Sequence, residues 1–253
     1  MKNSNKPRLF AALALALTSA PNPVFAGVPC DGNPSSLPPD LESLEATYSN
    51  NWDDGQIADF CNDFGIRSSG WNSWRTGDVW GWSDPGNPNL PLGRTFNALW
   101  VFRNSEPGND PLNFLTWGYG YAADAISATY PSCTSTAFAE TDGFWLTGKD
   151  VHVFNAFWWE QSMVERAGTL FHEGRHAEAG KSHNCNPGCA GSTSSCDTDW
   201  SYDGANTYQI EWLNDYYLSA VNTTPALQAR ARDDGNARIV GRFCTTPALS
   251  IPF

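Results

Sequence analysis

Two histidines four residues apart constrain this chain more than any other feature of its sequence. They belong to the pentapeptide His172-Glu173-Gly174-Arg175-His176. Residues four apart on an α-helix are separated by only about 40° around the axis, so both imidazoles face the same side. Glu173 lies about 100° round from His172, close to the same point but poorly placed to share one ion with the two imidazoles. The spacing therefore predicts a helix that presents a metal site with a carboxylate beside it.

The residues around this motif also favour a helix. From about Trp159 to Gly180, apolar residues recur on one stripe, namely Val164, Ala167, Leu170, Phe171 and Gly174. Four histidines and nine glutamates in 253 residues would give about 0.002 such matches by chance, so coincidence is a weak explanation. The competing interpretation is a solvated helix face on which the two histidines pair with acids.

The run FHEGRHAEAGKSH resembles the metal-binding sequence of the zincin metallopeptidases. It is similar to the HExxHxxGxxH of a metzincin with one residue inserted before the glycine, so Gly180 and His183 take the later positions. The resemblance implies an α+β fold in which a small mixed sheet packs on the active-site helix. It further implies one zinc ion held by His172, His176 and His183, a water activated by that zinc, and Glu173 as the general base.

The chain departs from the metzincin pattern in its spacing and in its methionines. The spacing before the glycine is one residue longer, and the only methionines are Met1 and Met163, so a downstream Met-turn is absent. The resemblance covers only about a dozen residues, and it therefore carries over the site residues and their chemistry.

The third metal ligand has alternatives to His183. Gly180 suits the αL conformation that ends a helix and turns the chain, which would bring His183 to the metal. Glu211 is the only glutamate after the motif helix. It lies on a predicted helix from about Ala205 to Val221, where it points about 135° away from the apolar face and toward solvent. A site without a third protein ligand is one further alternative. Three aspartates are also candidates for the third ligand: Asp197, Asp199 and Asp203.

Other polar residues have two interpretations each. Gln209 lies in the middle of the apolar face of the predicted Ala205–Val221 helix, either as a satisfied core amide or as a residue that orients a ligand or contacts substrate. Arg175 and Glu178 are three apart and predict an exposed ion pair. His152 lies in a predicted strand and is interpreted as structural, although that strand could be the sheet edge along which an extended substrate binds.

The first 26 residues resemble a secretory signal, in which basic residues precede an apolar run at 9–17. We expect residues 1–26 to be removed, 27–40 to form an extended lead-in or short propeptide, and 41–253 to form a single zincin-like catalytic domain. The apolar run is shorter than the roughly 20 residues of a membrane span. Without the signal, 12 basic residues face 27 acidic ones, a net charge of −15, so we do not expect nucleic-acid binding.

All seven cysteines follow the signal segment, and disulfides are expected in an exported chain. An odd number leaves one thiol over. Cys185, Cys189 and Cys196 lie in a predicted polar loop at 181–203, where disulfides would hold the segment that carries His183. The alternative is a structural zinc cluster of these cysteines with His183. The aspartates of this loop could also bind Ca²⁺, although their spacing is not that of an EF-hand.

Composition indicates the remaining elements. Residues 95–103 and 151–157 are rich in β-branched and aromatic residues and predict two strands of a small sheet. A helix is expected between them from about Tyr119 to Tyr130, and weak helical patterns cover 41–64. Residues 70–93 predict turns with four tryptophans, which either fill a core or line a groove: Trp71, Trp74, Trp80 and Trp82.

Together these features predict a secreted, monomeric zinc metalloendopeptidase that acts on polypeptide substrates. Two other functions fit the same sequence. One is a non-catalytic binding or adhesion domain with structural zinc and exposed tryptophans. The other is a zinc amidase that acts on cell-wall material with the same water-activating groups.

Overall fold

A computed structural model describes residues 52–71, 80–108, 113–132, 137–144, 148–185, 195–245, 247 and 249–251. The signal segment 1–26 and the lead-in 27–40 lie outside the described residues, as does Trp74. The elements follow the chain in this order: α1 (Asp54–Asp63), α2 (Ser68–Trp71), α3 (Pro91–Asn104), α4 (Phe114–Ala125), β1 (Ala128–Pro131), β2 (Ala139–Phe144), β3 (Gly148–Val153), α5 (Asn155–Trp159), α6 (Met163–Ala179), a 3₁₀ helix (Trp200–Tyr202), α7 (Ala205–Ser219) and α8 (Pro225–Gly241).

The three strands form one small mixed sheet in the order β1-β3-β2. β3 is the central strand, parallel to β1 and antiparallel to β2. β2 packs against α6. The predicted α+β class with a small mixed sheet beside the motif helix is therefore confirmed.

The strand predicted at 95–103 is wrong, because these residues form the middle of helix α3. Pro91 occupies the first turn, where its fixed φ and missing N–H suit a helix start. Nearly every residue of α3 is buried, including the polar Arg94 and Asn97. A helix buried on all sides has no amphipathic stripe, so the aromatic and β-branched content of this run resembled that of a buried strand.

The helix predicted at 119–130 begins and ends earlier, at Phe114 and Ala125. The Asn113 side chain caps its first turn by accepting a hydrogen bond from the Leu115 N–H at 2.9 Å. Ile126 leaves the helix in an extended conformation, and the end of the predicted helix forms β1 instead.

The predicted boundaries at 151–157 and 159–180 also differ from the structure. The strand β3 ends at Val153, and 155–159 form the short helix α5. The motif helix α6 begins only at Met163, because Ser162 and Glu165 form a capping box. The pattern Ser-x-x-Glu is a sequence signal for such a start, whereas the apolar residues before it extend the helical pattern to about Trp159.

The helix predicted from Ala205 to Val221 is confirmed as α7, which ends two residues earlier at Ser219. Helix α8 was not predicted. Thr224 caps it and Pro225 occupies its first turn, which together are a recognisable start signal. Its weak amphipathic pattern explains why it was missed.

Helix α6 is the centre of the core and packs against α3, α4, α7 and α8. Phe171, on the helix turn that carries the motif, makes ring contacts with five aromatic side chains. Trp71, Trp80 and Trp158 form a second, fully buried cluster. The core interpretation of the tryptophans is thus confirmed for Trp71 and Trp80, and Trp82 is partly buried against the same core.

Among the described residues, no helix combines the length and the apolar character that a membrane span requires.

We expect the substitution Phe171→Ala to destabilise the fold by about 3–5 kcal/mol, because it removes a fully buried ring from the centre of the core. Chemical denaturation followed by tryptophan fluorescence measures this free energy of unfolding. Leu218→Ala is the control, because Leu218 is 58% exposed and its loss should change stability by no more than about 0.5 kcal/mol. Equal effects of the two substitutions would contradict the central position of α6.

Candidate metal centre

The motif helix presents three of the predicted site residues at its C-terminal end. His172, Glu173 and His176 all lie on α6, and each is buried or nearly so. Gly180 ends the helix with φ 58° and ψ 24°, the αL conformation expected for it, and its N–H donates to the His176 carbonyl. This turn reverses the chain so that His183 returns toward the helix.

The structure brings the three predicted histidine ligands together. The Nε2 atom of His176 lies 3.1 Å from Nε2 of His172 and 3.3 Å from Nε2 of His183. One ring nitrogen from each residue falls within 4.8 Å of the other two, and no other described residues form such a group. The chain therefore contains a three-histidine cluster at metal-binding distance.

The spacing of these nitrogens fits a tetrahedral ion. Zinc–nitrogen bonds of about 2.0–2.1 Å place two tetrahedral ligand atoms about 3.3–3.4 Å apart. The separations of 3.1 and 3.3 Å are close to this value. The donor set fits a metal such as zinc, and three protein ligands leave the fourth position for water or substrate.

Partners on the far side of two rings fix the nitrogen that faces the cluster. Nδ1 of His176 donates to the Lys181 carbonyl, and Nδ1 of His183 donates to Asp197 Oδ1 at 3.0 Å. Both Nε2 atoms therefore carry lone pairs directed at the same space. Nδ1 of His172 is buried and has no hydrogen-bond partner among the described residues.

The environment keeps the imidazoles of His172 and His176 neutral. Burial, together with the neighbouring His183, lowers the pKa of His176 to about 4. Burial and the neighbouring His176 and His183 lower the pKa of His172 well below its ordinary value. A proton is therefore a poor bridge between the rings at neutral pH, whereas a metal ion binds neutral imidazole.

Asp197 supports His183 and does not join the cluster. Its side chain is fully buried, and its other oxygen accepts a hydrogen bond from the Asn206 amide at 3.2 Å. A side chain at position 204 would collide with this carboxylate, because a Cβ on Gly204 would lie 2.7 Å from Asp197 Oδ2. A carboxylate behind a metal-binding histidine fixes the ring and makes it a stronger ligand. The alternative in which Asp197 is itself the ligand is thus replaced by a supporting role.

A disulfide holds the segment that carries His183. Cys185 is bonded to Cys196, with their Cα atoms 5.4 Å apart. This pairing rules out a structural zinc cluster that uses both of these cysteines as thiolates. Cys244 is also disulfide-bonded, and Cys61 is the free thiol among the described cysteines. Cys30, Cys133 and Cys189 lie outside the described residues.

The other two aspartates of the loop stabilise its local structure. Asp199 caps the 3₁₀ helix by accepting from the Tyr202 N–H, and Asp203 binds Arg175 at 2.9 Å. With Asp197 engaged by His183, these carboxylates do not form a calcium-binding group in the described part of the chain.

Arg175 is buried, which corrects the prediction of an exposed ion pair with Glu178. Its guanidinium lies over the Tyr208 ring and donates to both the backbone and the side chain of Asp203. The contact with Glu178, at 3.5 Å, is the weaker one. Arg175 therefore joins the motif helix to the loop that follows His183.

Glu173 is oriented by Thr141, a residue that no sequence pattern identifies. The Thr141 hydroxyl, on β2, donates to Glu173 Oε2 at 2.6 Å. Burial raises the pKa of Glu173 to about 7, while this hydrogen bond opposes the rise. Thr141 lies in the run AETDGF, which has no strand-like alternation, so its position beside α6 appears only in the folded chain.

Gln209 and Glu211 occupy different positions on α7. Gln209 is buried, lines the same cleft as the histidines, and donates to Thr169 Oγ1 at 3.4 Å. Glu211 is half-buried and not fully solvated as expected, and burial raises its pKa. It is not part of the histidine cluster.

The cluster lies in a cleft of about 950 Å³. Residues 137–141, which lead into and begin β2, line one wall, and the end of α8 contributes Arg238 and Arg242. His152 lies on the central strand β3, 3.4 Å from Asp142, and does not line the cleft, although Lys149 from the same strand does.

The chain matches no protein-family model, no curated protein and no solved structure. What is shown is an α+β chain with three histidines at metal-binding distance.

We expect Asp197→Asn to weaken binding of the metal about 10- to 100-fold, because the substitution removes the charge that holds His183. Competition with a chromogenic chelator measures this affinity, and circular dichroism checks the fold. Asp199→Asn is the matched control, since Asp199 lies in the same loop but contacts no histidine. Unchanged affinity in Asp197→Asn would refute the supporting role.

The double substitution Cys185→Ser, Cys196→Ser should weaken metal binding at least about tenfold, because His183 lies only two residues from Cys185. The loss of this short cross-link should also destabilise the fold by about 2–3 kcal/mol. Cys61→Ser, which removes the free thiol, should change neither quantity appreciably. If the double variant binds metal as tightly as the parent, then hydrogen bonds alone hold the loop.

Proposed function

We propose that the chain is a secreted zinc metallopeptidase that hydrolyses peptide bonds. The observation that carries this proposal is the convergence of three imidazole nitrogens in an open cleft with the buried carboxylate of Glu173 beside them. Three nitrogen ligands and an accessible fourth position are typical of catalytic zinc, whereas structural sites are closed by four protein ligands. A zinc ion held here would supply a Lewis acid that lowers the pKa of water.

Glu173 is suited to move the proton in this reaction. Its pKa of about 7 lies near neutral pH, so the carboxylate can accept a proton from the attacking water and return it to the leaving amine. The Thr141 hydroxyl holds Oε2 and thereby sets the orientation of the carboxylate. Thr141 is thus a positioning residue for Glu173.

The strand beside the cleft supports an extended peptide as substrate. Among the described strands, β2 pairs only with β3, so its other edge has no strand partner. Residues 138–141 of this region line the cleft. An unpaired edge can bind an extended peptide through main-chain hydrogen bonds. Gln209, on another wall, offers an amide for a further polar contact with substrate.

Export is supported by two features of different kinds. The sequence begins with a signal-like segment, and the described chain contains disulfide bonds, which persist in oxidising compartments. The alternative of an adhesion domain with exposed tryptophans has less support, because the described tryptophans are buried or packed against the core.

We expect purified protein to contain about one zinc per chain, and Glu173→Gln to lower peptide hydrolysis by about 10²- to 10⁴-fold without loss of zinc. Gln is isosteric, and its carbonyl can still accept from Thr141. Glu178→Gln is the matched control on the same helix, because Glu178 is half-exposed and outside the cleft. Elemental analysis measures the zinc content, and a pool of quenched fluorescent peptides measures hydrolysis.

The same proteins should be assayed on insoluble peptidoglycan. If peptides are released from peptidoglycan while the fluorescent peptides are not cleaved, the assignment changes from a peptidase to a cell-wall amidase. Absence of both activities in zinc-loaded protein would overturn the proposed hydrolase.

A further inference from the structure

Two arginines contribute to the wall of the metal cleft and have no part in the chemistry above. Arg238 lies in the last turn of α8, and Arg242 is the residue that caps the C-terminus of that helix. Both line the cleft with the three histidines. Their positive charges also contribute to the lowered pKa of His172, after burial and the neighbouring histidines.

Both arginines have polar partners. Arg238 is largely buried, and its Nε donates to Asp234 Oδ2 at 2.8 Å. The NH1 group of Arg242 donates to the neutral Ser195 hydroxyl at 2.5 Å. Asp234 in turn interacts with the buried Glu165 from α6, which is itself near Arg230. Arg238 and Arg242 also repel each other, since burial and Arg238 together lower the pKa of Arg242.

Basic groups outnumber acidic ones among the side chains that line the cleft. Glu140, Glu173 and Lys149 lie on or beside the sheet, and Arg238 and Arg242 come from the end of α8 and the residue that follows it. Arginine keeps its charge in such a setting and binds carboxylates through paired N–H groups. In a chain with a net charge of −12, two arginines inside the substrate cleft are a local reversal of the overall charge.

We propose that Arg238 and Arg242 bind a carboxylate of the peptide substrate close to the scissile bond, and so select acidic substrates. This inference rests on the proposed peptidase function of the site. The carboxylate can come from the C-terminus of the peptide or from an Asp or Glu side chain. Both sources present the same planar anion to the arginines.

Matched substrates separate the two sources. One pair of quenched peptides differs only in a C-terminal acid or amide, and a second pair, amidated at the end, differs only in Glu or Gln next to the cleaved bond. We expect kcat/KM to be at least tenfold higher for the acidic member of one pair. A preference within the first pair assigns the C-terminus, and within the second an acidic side chain. A ratio near one in both pairs overturns the proposal.

Substitutions then test the arginines themselves. Arg238→Gln and Arg242→Gln should each reduce the acid-to-neutral ratio at least about fivefold, mainly through KM, and Arg→Lys should restore part of it. Arg232→Gln is the control, because Arg232 lies on the same helix but pairs with Asp233 at 2.7 Å outside the cleft. A ratio preserved in both Gln variants overturns the assignment. If a Gln variant does not fold, the corresponding Lys variant takes its place.

Binding measurements distinguish failure of this inference from failure of the proposed function. Fluorescence anisotropy with the labelled peptides gives their affinity for zinc-loaded Glu173→Gln protein without turnover. If no peptide is hydrolysed but the acidic member binds more tightly, the inference holds and the peptidase proposal fails. If hydrolysis occurs and both members of each pair bind and react equally, the peptidase holds and the inference fails.

Discussion

Three imidazole nitrogens that converge in one small space are the constraint on which the rest of the site depends. The rings of His172 and His176 are neutral, and the Nε2 atoms of His176 and His183 face each other because their Nδ1 atoms donate elsewhere. Such an arrangement is unfavourable unless a cation lies between the nitrogens or the fold prevents the rings from turning away. The structure does hold them: two histidines are fixed on a helix packed through Phe171, and the third is fixed by a disulfide and a buried carboxylate.

The part of this site that sequence could predict is the part set by local spacing. His172, Glu173 and His176 follow from the period of one helix, and Gly180 and His183 follow from a glycine that can end it. Thr141 and the supporting role of Asp197 depend on contacts over 32 and 14 residues, which no local pattern contains. Arg175 shows the same limit, because its spacing to Glu178 suggests a surface pair, while the buried guanidinium is bound by Asp203, 28 residues away.

The fold was predictable to a similar degree. The α+β class, the motif helix and α7 follow from hydrophobic periodicity. The sequence of helix α3 resembles that of a strand, because burial on every side removes the polar face that marks a helix. Capping residues mark the starts of two helices: Ser162 with Glu165 at α6, and Thr224 with Pro225 at α8. Capping residues are thus better guides to the boundaries of this chain than its aromatic content.

The residue that follows α8 connects the proposed carboxylate-binding arginines with the histidine cluster. The Arg242 carbonyl accepts from the Asp197 N–H at 2.9 Å, and the Cys244 N–H donates to the Asp197 carbonyl at 3.0 Å. Arg242 thus binds the backbone of Asp197, whose carboxylate lies behind His183, and also places a guanidinium in the cleft wall. The main chain of Arg242 binds Asp197, whereas its side chain supplies the guanidinium of the cleft wall. Replacement of the side chain therefore removes the positive charge, while the hydrogen bond to Asp197 can persist. The proposed recognition of an anion and the proposed retention of a metal are therefore separable, although one short segment contributes to both.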